Sequence, residues 1–157
     1  IQQFEYLQNH LRILSAFYGI LKPMDGVTPY RLEMQAKAEI EEKTNLYDYW
    51  GNRLYHSVID DSRTIINLAS KEYSKCIERY LSDKDNYITI IFCELSGDKL
   101  VTKGTYAKMA RGEMVRFMAE NNIENPVDIQ KFDRLGYTFR GNLSSETEYV
   151  FERKIIK

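Results

Sequence analysis

Residues 87–95 read YITIIFCEL, and this stretch decides the fold class of the chain. A run of β-branched and aromatic side chains of this length is typical of a buried β-strand. Ser96-Gly97-Asp98-Lys99 then predicts a turn, and residues 100–106 predict a strand that returns from it. Residues 107–121 change to helical spacing, with an inward face made of Ala107, Ala110, Met114, Phe117 and Met118.

The segments on either side of this stretch predict the other elements of a mixed α/β chain. Helical spacing or capping residues predict helices at 2–10, 46–59, 71–81 and 126–132. Apolar β-branched or aromatic runs predict strands at 64–68, 137–140 and 148–154, the last two antiparallel. Residues 11–15 continue the first helix or start a strand, and Gly and Pro predict an irregular loop over 19–30. The expected architecture is a compact single domain whose strand order stays open.

Composition and charge exclude several classes of protein. No apolar run approaches the roughly 18 residues of a membrane-spanning helix. With 22 basic and 23 acidic residues the net charge is −1, which argues against a basic nucleic-acid-binding surface overall but leaves a local basic patch open. Ile1-Gln2-Gln3 lacks the basic and apolar stretches of a signal peptide, and without an initiator Met we expect the chain to begin inside a longer protein.

The cysteines and histidines do not predict a metal site. Cys76 and Cys93 form no Cys-x-x-Cys pair, and His10 and His56 are scattered, so the spacing of metal ligands is absent. Two isolated cysteines predict buried thiols in a reducing cytoplasm and not a disulfide. We therefore expect neither a metal nor a cofactor.

Residues 14–34 form the first of four stretches that suggest function. They surround turn-forming residues, and loops held on a rigid scaffold are where functional side chains concentrate. The candidates are Ser15, Tyr18, Tyr30, Arg31 and Glu33. Arg31 and Glu33, two positions apart, point the same way in an extended segment. The alternative for these two residues is an ion pair that pins the loop.

The second and third stretches are Tyr49-Trp50-Gly51 and residues 67–73, NLASKEY. The former is interpreted as a core aromatic beside a glycine that permits close packing. The latter joins a strand end to a helix start, where free backbone N–H groups and the helix dipole favour anions. Asn67, Ser70 and Tyr73 are candidates to line an anion site, and the alternative is a plain N-cap.

The fourth stretch, residues 108–114 (KMARGEM), sets two cations on one helix face. Lys108 and Arg111 are three apart, and such a pair suits a phosphate or carboxylate; the alternative is a solvated surface. Gly112 costs a helix roughly 1 kcal/mol relative to Ala, so we expect a close contact there. No nucleophile elbow, Walker loop or dinucleotide fingerprint is present, so the residues by themselves lead to an α/β domain with a candidate anion-binding cleft.

Taken in order, these motifs match the pattern of one protein family. The matching residues are Leu14-Ser15 with Tyr18-Gly19, Lys22-Pro23-Met24-Asp25, Pro29-Tyr30-Arg31-Leu32-Glu33-Met34, Trp50-Gly51, Asn67-Leu68-Ala69-Ser70 with Glu72-Tyr73, and Lys108 with Ala110-Arg111-Gly112 and Met114. They resemble the YaaA peroxide stress resistance family across nearly the whole chain. Lys22 stands where the family has Arg, which keeps the charge but loses the bidentate fork. The family also has an N-terminal portion with a serine-proline-alanine-lysine motif, so the resemblance implies that residues 1–157 are the C-terminal portion of a single YaaA-family domain.

The resemblance implies a compact α/β fold with a helix-hairpin-helix-like element and a positively charged cleft that binds DNA. The best match to that element is the helix ending near Asn121, the turn 122–125 and the short helix 126–132. Asn122 and Asn125 take the place of the usual hairpin glycine, because Asn tolerates left-handed backbone. The resemblance further implies a cytoplasmic bacterial protein that responds to hydrogen peroxide and helps to limit iron-linked DNA damage.

Two hypotheses share one expected cleft. Its residues are expected to be Ser15, Tyr18, Lys22, Tyr30, Arg31, Glu33, Asn67, Ser70, Tyr73, Lys108, Arg111 and Gly112. In the first hypothesis the cations of this set, together with Arg116, contact DNA phosphates without regard to sequence. In the second the cleft is an enzyme pocket for a nucleotide-like or other anionic small molecule, which the density of polar motif residues favours. Iron binding has the least support, because no ligand cluster exists.

Overall fold

The computed structural model describes residues 1–96 and 99–154, so the predicted turn at Gly97-Asp98 lies outside the described residues. The chain divides into two compact units. Unit 1 comprises Ile1–Tyr6, Ile66–Leu68 and Ile88–Lys157. Unit 2 comprises Leu7–Ile65 and Ala69–Tyr87. Each unit is described by itself.

Helices and strands alternate along the chain, which confirms the predicted mixed α/β class. The helices are α1 Gln2–His10, α2 Leu46–Trp50, α3 Arg53–Val58, α4 Lys71–Glu78 and α5 Gly104–Glu120, with 3₁₀ helices at Pro126–Lys131 and Gly141–Leu143. The strands are β1 Ile13–Ser15, β2 Gly19–Leu21, β3 Thr64–Asn67, β4 Asn86–Ser96, β5 Lys99–Val101, β6 Tyr137–Phe139 and β7 Glu148–Arg153. Across residues 1–96 and 99–154, every helix is too short or too polar to span a lipid bilayer.

A sheet with the strand order β3-β4-β7-β6 organises unit 1, and β5 pairs with β4 in antiparallel fashion. Strand β7 runs parallel to β4, with Ile90 opposite Tyr149 and Phe92 opposite Phe151. Strand β6 is antiparallel to β7, as predicted for these two segments. A parallel pair needs a long crossover, and the chain supplies it with β5, α5, the 3₁₀ helix at 126–131 and β6.

Helix α5 belongs to the apolar core of unit 1. Ala107, Ala110, Met114 and Phe117 are buried and Met118 is half-buried, which confirms the predicted inward face. On the sheet, the ring of Phe92 lies 5.1 Å from that of Tyr137 and 5.6 Å from that of Phe151 between centroids. The residues that the sequence marked as apolar strand and apolar helix face therefore form one core.

Predicted boundaries are wrong at the junction of β5 with α5 and at the end of α4, and the predicted helix 46–59 is two helices, α2 and α3. Strand β5 ends at Val101 and not at residue 106, because Ala107 N–H donates to the Lys103 carbonyl at 2.9 Å and so starts the first turn of α5. Helix α4 ends at Glu78 and not at residue 81, because Tyr80 N–H donates to the Ile77 carbonyl at 3.0 Å in a tighter turn. Both of these boundary errors lie at the ends of elements, where the hydrogen bonds of local turns decide which residue is the last one of the helix or strand.

A tight hairpin in unit 2 replaces part of the predicted irregular loop. Residues 19–21 form β2, which pairs antiparallel with β1 so that Ser15 faces Gly19 and Ile13 faces Leu21. The ambiguous segment 11–15 thus resolves as a strand. Gly19 has φ +82°, a left-handed conformation that glycine adopts without steric cost, and it lets the chain turn back at this point.

Trp50 fixes this hairpin to the core of unit 2. Its indole Nε1–H donates to the Ala16 carbonyl at 2.9 Å, and its ring packs against the apolar cluster around Leu54. The interpretation of Trp50 as a packing residue therefore agrees with its contacts. The glycine that permits close packing is Gly19 and not Gly51, because a Cβ at Gly19 would lie 2.9 Å from two Trp50 ring carbons. Gly51 instead ends α2 with φ +54°.

We predict that Gly19→Ala destabilises the protein by about 2–4 kcal/mol, since Ala would be strained at positive φ and would press on Trp50. Urea denaturation monitored by far-UV circular dichroism measures this change in the free energy of unfolding. Gly26→Ala is the matched control, because a Cβ at Gly26 meets nothing within 4 Å. We expect the control to change stability by less than about 0.5 kcal/mol. Equal midpoints for both variants would contradict the assigned contact.

Candidate functional site

A cluster of hydroxyl groups and aromatic rings surrounds the β1–β2 hairpin in unit 2. The Ser15 hydroxyl is buried and hydrogen-bonded to the Tyr30 hydroxyl, and its Oγ accepts the Tyr18 N–H at 3.0 Å. The Tyr18 hydroxyl donates to the Thr28 carbonyl at 3.3 Å and accepts Thr28 N–H at 2.8 Å. Three of the sequence-predicted site residues, Ser15, Tyr18 and Tyr30, are therefore held together.

Tyr73 interacts electrostatically with Tyr30 of this cluster. Burial is the main cause that raises the pKa of Tyr73, and the nearby Glu72, Tyr30 and Glu33 raise it further, against a backbone hydrogen bond from Met34 that lowers it. A phenol is neutral at pH 7 in any case, and the raised pKa of Tyr73 extends its neutral range to higher pH. Unit 2 thus brings Tyr73 and Glu33 to the same region as Tyr30.

Arg31 and Glu33 are exposed and form no ion pair with each other. The loop-pinning alternative is therefore wrong for this pair. Together with Leu32 and Ala36 they line a shallow groove of about 280 Å³. Lys22, also exposed, begins a turn in which its N–H donates to the Asp25 carboxylate at 2.8 Å. Within unit 2, the side chains of Lys22 and Arg31 are thus free to meet an anion.

Ser70 occupies the predicted N-cap position of α4 but does not cap with its side chain. Its backbone is extended and no hydrogen bond joins its hydroxyl to the helix, while its carbonyl accepts the Ser74 N–H at 2.8 Å. Ser70 is therefore an N-cap in its backbone conformation, but it does not supply the first N–H groups of α4 with a side-chain cap. Asn67 is part of unit 1, where it is buried and its Nδ2 donates to the Thr89 hydroxyl at 3.3 Å.

In unit 1, α5 carries Lys108, Arg111 and Gly112 as expected. Lys108 is exposed, whereas Arg111 is half-buried, and this burial lowers the pKa of its guanidinium. The close contact expected at Gly112 is absent: the residue is exposed and a Cβ there would meet nothing within 4 Å. No packing within the described chain therefore requires this helix-weakening glycine.

The arginines fall into two groups by their partners. Of the ten arginines, six lie within 4 Å of a carboxylate, namely Arg63, Arg79, Arg116, Arg134, Arg140 and Arg153. Arg12 and Arg53 donate to backbone carbonyls. Among the residues that the structure describes, the side chains of Arg31 and Arg111 have neither a hydrogen bond nor an ion pair. Arg116, also a candidate from the sequence, pairs with Glu120 at 2.7 Å.

The twelve expected site residues divide between the units. Unit 2 contains Ser15, Tyr18, Lys22, Tyr30, Arg31, Glu33, Ser70 and Tyr73, whereas unit 1 contains Asn67, Lys108, Arg111 and Gly112. Contacts and electrostatic couplings connect Ser15, Tyr18, Tyr30, Glu33 and Tyr73. Convergence of all twelve in one cleft stays a prediction.

The helix-hairpin-helix-like element has the expected order but not two α-helices. Helix α5 ends at Glu120, and the second helix, 126–131, is of the 3₁₀ type. Asn122 has φ +47°, the left-handed conformation expected for it, whereas Asn125 is extended and caps Val127 N–H at 3.1 Å. Residues of this turn line a cavity of about 270 Å³.

Sequence reasoning missed a buried charged group in unit 1. Glu94 is fully buried, with Arg153 at 2.7 Å and Lys103 at 3.0 Å from its carboxylate oxygens. The signal was available, because a glutamate near the end of an apolar strand needs a partner. Phe17 was missed as well: its ring is 57% exposed and lies 4.9 Å from Tyr18 and 5.3 Å from Tyr30 between centroids.

The thiols and potential metal ligands do not form a reactive centre among the described residues. Cys76 and Cys93 are buried and free. Burial raises the pKa of Cys76 to about 11 and raises that of Cys93. Over 1–96 and 99–154, no group of three or more His, Cys, Asp or Glu side chains is arranged to hold a metal ion.

Comparison with known proteins gives a consistent match. The sequence model of the family described as peroxide stress protein YaaA matches residues 1–143. A UPF0246 protein of Agathobacter rectalis is 80% identical over 153 residues, which cover 98% of this chain and 61% of that relative. UPF0246 proteins of Lachnoclostridium phytofermentans and Pediococcus pentosaceus are 57% and 50% identical, with 95% and 96% of this chain covered and 58% and 60% of theirs. The chain spans about three fifths of the length of these relatives.

We predict that Gly112→Ala stabilises the protein by up to about 1 kcal/mol, because Ala has the higher helix propensity and its methyl group has free space. Urea denaturation measures the shift in midpoint. Lys108→Ala, on the same exposed face, is the control and is expected to change stability by less than about 0.5 kcal/mol. A destabilised Gly112→Ala variant would reveal a contact that the described residues do not account for.

We predict that Cys76 resists iodoacetamide in the folded protein. With a pKa of about 11, the thiolate fraction at pH 8 is on the order of one in a thousand, and it rises only as the pH approaches 11. Mass spectrometry of alkylated protein, with and without urea, measures the two rates. Alkylation that is as fast in the folded as in the unfolded protein would overturn the assignment of Cys76 as inert.

Proposed function

The chain belongs to the peroxide stress protein YaaA family, and on this premise we propose that it is a cytoplasmic DNA-binding protein of the response to hydrogen peroxide. It binds the sugar–phosphate backbone through unpaired cations. By occupying DNA it helps to limit the damage that iron and peroxide cause there.

The observation that carries this proposal is the state of Arg31 and Arg111. Both arginines lie in family-matching motifs, and both lack any hydrogen-bonding or ionic partner among the described residues. Holding a guanidinium half-buried without an anion, as at Arg111, is unfavourable in the free protein. An arginine in this state is suited to a phosphate, which accepts two parallel hydrogen bonds from the guanidinium fork.

The net charge of the chain requires that any contact with DNA phosphates comes from local groups of cations. A net charge of −1 makes the surface as a whole unattractive to DNA, so binding depends on local groups of cations. In unit 1 that group is Lys108 with Arg111, three positions apart on α5, and unit 2 contributes Lys22 and Arg31. The turn after α5, with left-handed Asn122, takes the place of the turn of a helix-hairpin-helix element in this proposal.

The effect on iron is proposed to be indirect. The described residues include no cluster with the ligands of a metal ion, and the free cysteines are buried. Protection then comes from contact with DNA and not from sequestering iron or from a peroxide-reactive thiol.

A second candidate is an enzyme for a nucleotide-like or other anionic small molecule. Its supporting observation is the buried Ser15 hydroxyl, which is bonded to both Tyr30 and Tyr18 near the groove at Arg31. Calorimetric titration with nucleoside monophosphates tests it. Binding that depends on Ser15 and Arg31 but not on Lys108 would favour the enzyme over the DNA-binding protein.

We predict that Arg111→Ala lowers DNA affinity and lowers the salt dependence of binding by about 0.9 in the log–log slope. The Lys108→Ala, Arg111→Ala double variant should lower the slope by up to about two, and it should weaken binding to different duplex sequences alike. Arg111→Lys should be milder, because its charge survives while the fork is lost. Fluorescence anisotropy with a labelled 20-base-pair duplex at several salt concentrations measures both quantities.

Arg116→Ala is the matched control for this prediction. It removes the same charge from the same helix, but Arg116 is already paired with Glu120, which keeps Arg134 as a partner when Arg116 is absent. We expect its slope to stay within about 0.3 of the wild-type value. If Arg111→Ala and Arg116→Ala behave alike, Arg111 does not contact phosphate, and the small-molecule pocket becomes the leading function.

A further inference from the structure

Three aromatic side chains at the β1–β2 hairpin form an exposed patch, here called the hairpin patch and defined as Phe17, Tyr18 and Tyr30. Phe17 is 57% and Tyr30 43% exposed, and Tyr18 is half-buried. Their ring centroids lie 4.9–5.6 Å apart, with Phe17 and Tyr30 tilted by only 32°. Soluble proteins seldom leave neighbouring aromatic rings in water without a partner for them.

The hairpin patch is rigid, because its polar atoms are already bonded within unit 2. Tyr18 is held to both backbone groups of Thr28, and Tyr30 is held to the buried Ser15 hydroxyl. The phenol oxygens therefore face the protein, and the rings offer their apolar surfaces to solvent. A prearranged aromatic surface loses little conformational entropy when a planar ligand stacks on it.

The sequence around the hairpin patch is basic although the chain as a whole is not. Residues 12–33 contain three basic residues, Arg12, Lys22 and Arg31, and two acidic residues, Asp25 and Glu33. The Asp25 carboxylate accepts the Lys22 N–H, whereas Arg31, directly after Tyr30, has no partner among the described residues. Exposed rings beside unpaired cations match the alternation of flat bases and phosphates along a nucleic-acid strand.

We propose that the hairpin patch is a stacking platform for unpaired bases, so that the DNA partner is recognised at single-stranded or distorted nucleotides. This inference rests on the proposed function and names the form of DNA. Bases in a duplex are stacked on one another and offer only their edges in the grooves. A strand with unpaired bases can place a base on Phe17 and Tyr30 while Arg31 contacts the adjoining phosphate.

The test compares how substitutions of two exposed phenylalanines, Phe17 and Phe4, change the affinity for single-stranded and for double-stranded DNA. Fluorescence anisotropy measures the affinity of the 157-residue chain for labelled dT20 and for a 20-base-pair duplex at one salt concentration. We expect Phe17→Ala to weaken dT20 binding by about tenfold and duplex binding by less than twofold, since one stacking contact is lost. Phe4→Ala, which removes a 47% exposed ring outside the hairpin patch, should change neither affinity.

A second variant keeps the proposal testable if Phe17→Ala proves unstable. In Phe17→Trp the new indole should be quenched by dT20 and not by the duplex, relative to the wild-type protein, in which Trp50 is the single tryptophan. Absence of quenching, or equal loss of both affinities in Phe17→Ala, would overturn the stacking platform.

The remaining outcomes separate this inference from the proposed function. Wild-type protein that binds the duplex but not dT20 overturns the platform and leaves DNA binding in place. Wild-type protein that binds neither overturns the proposed function itself. A wild-type dimer that Phe17→Ala turns into a monomer, measured by analytical ultracentrifugation, would show that a second copy covers the hairpin patch and would overturn the platform.

Discussion

The parallel pairing of β4 with β7 is the constraint on which unit 1 depends. It joins residues about 60 positions apart, places Phe92 beside Phe151, and obliges the intervening chain to supply the α5 crossover. The same register sets Glu94 opposite Arg153, so that a fully buried carboxylate meets a guanidinium at 2.7 Å. Removing Glu94 would leave the Arg153 guanidinium without its carboxylate, and removing Arg153 would leave Glu94 with Lys103 alone, so the pair ties the end of the sheet to one register.

Unit 2 depends on a different contact, between the Trp50 indole and the β1–β2 hairpin. The indole donates to the Ala16 carbonyl and fills the space that a side chain at Gly19 would need. This contact holds the three-residue turn 16–18, which carries Phe17 and Tyr18. The family motif Tyr18-Gly19 therefore has two roles. Gly19 packs against Trp50, and Tyr18 forms part of the exposed aromatic surface.

The partners of the arginine side chains distinguish structural arginines from candidate functional ones. Most arginines pair with a carboxylate or donate to a backbone carbonyl, so they already have a partner within the protein. Arg31 and Arg111 do neither among the described residues. The two cysteines, in contrast to Arg31 and Arg111, are not available to a ligand or reagent. Their thiols are buried, and burial raises the thiol pKa, which disfavours the thiolate that reacts with peroxide.

The sequence by itself determined the fold class, most helices and strands, the inward face of α5, and the four motifs, because hydrophobic periodicity and capping are local properties. It also identified family membership, since the motifs occur in order. Only the tertiary structure decided that β7 pairs parallel with β4, that Gly19 and not Gly51 receives Trp50, and that none of the described residues packs on Gly112. Likewise, only the structure distinguished Arg111 from Arg116, because a side chain's partner is set by what other elements bring near it. The exposure of Phe17 could not be predicted for the same reason. Whether a side chain is buried depends on segments that are distant in the sequence, and a local pattern of residues carries no information about them.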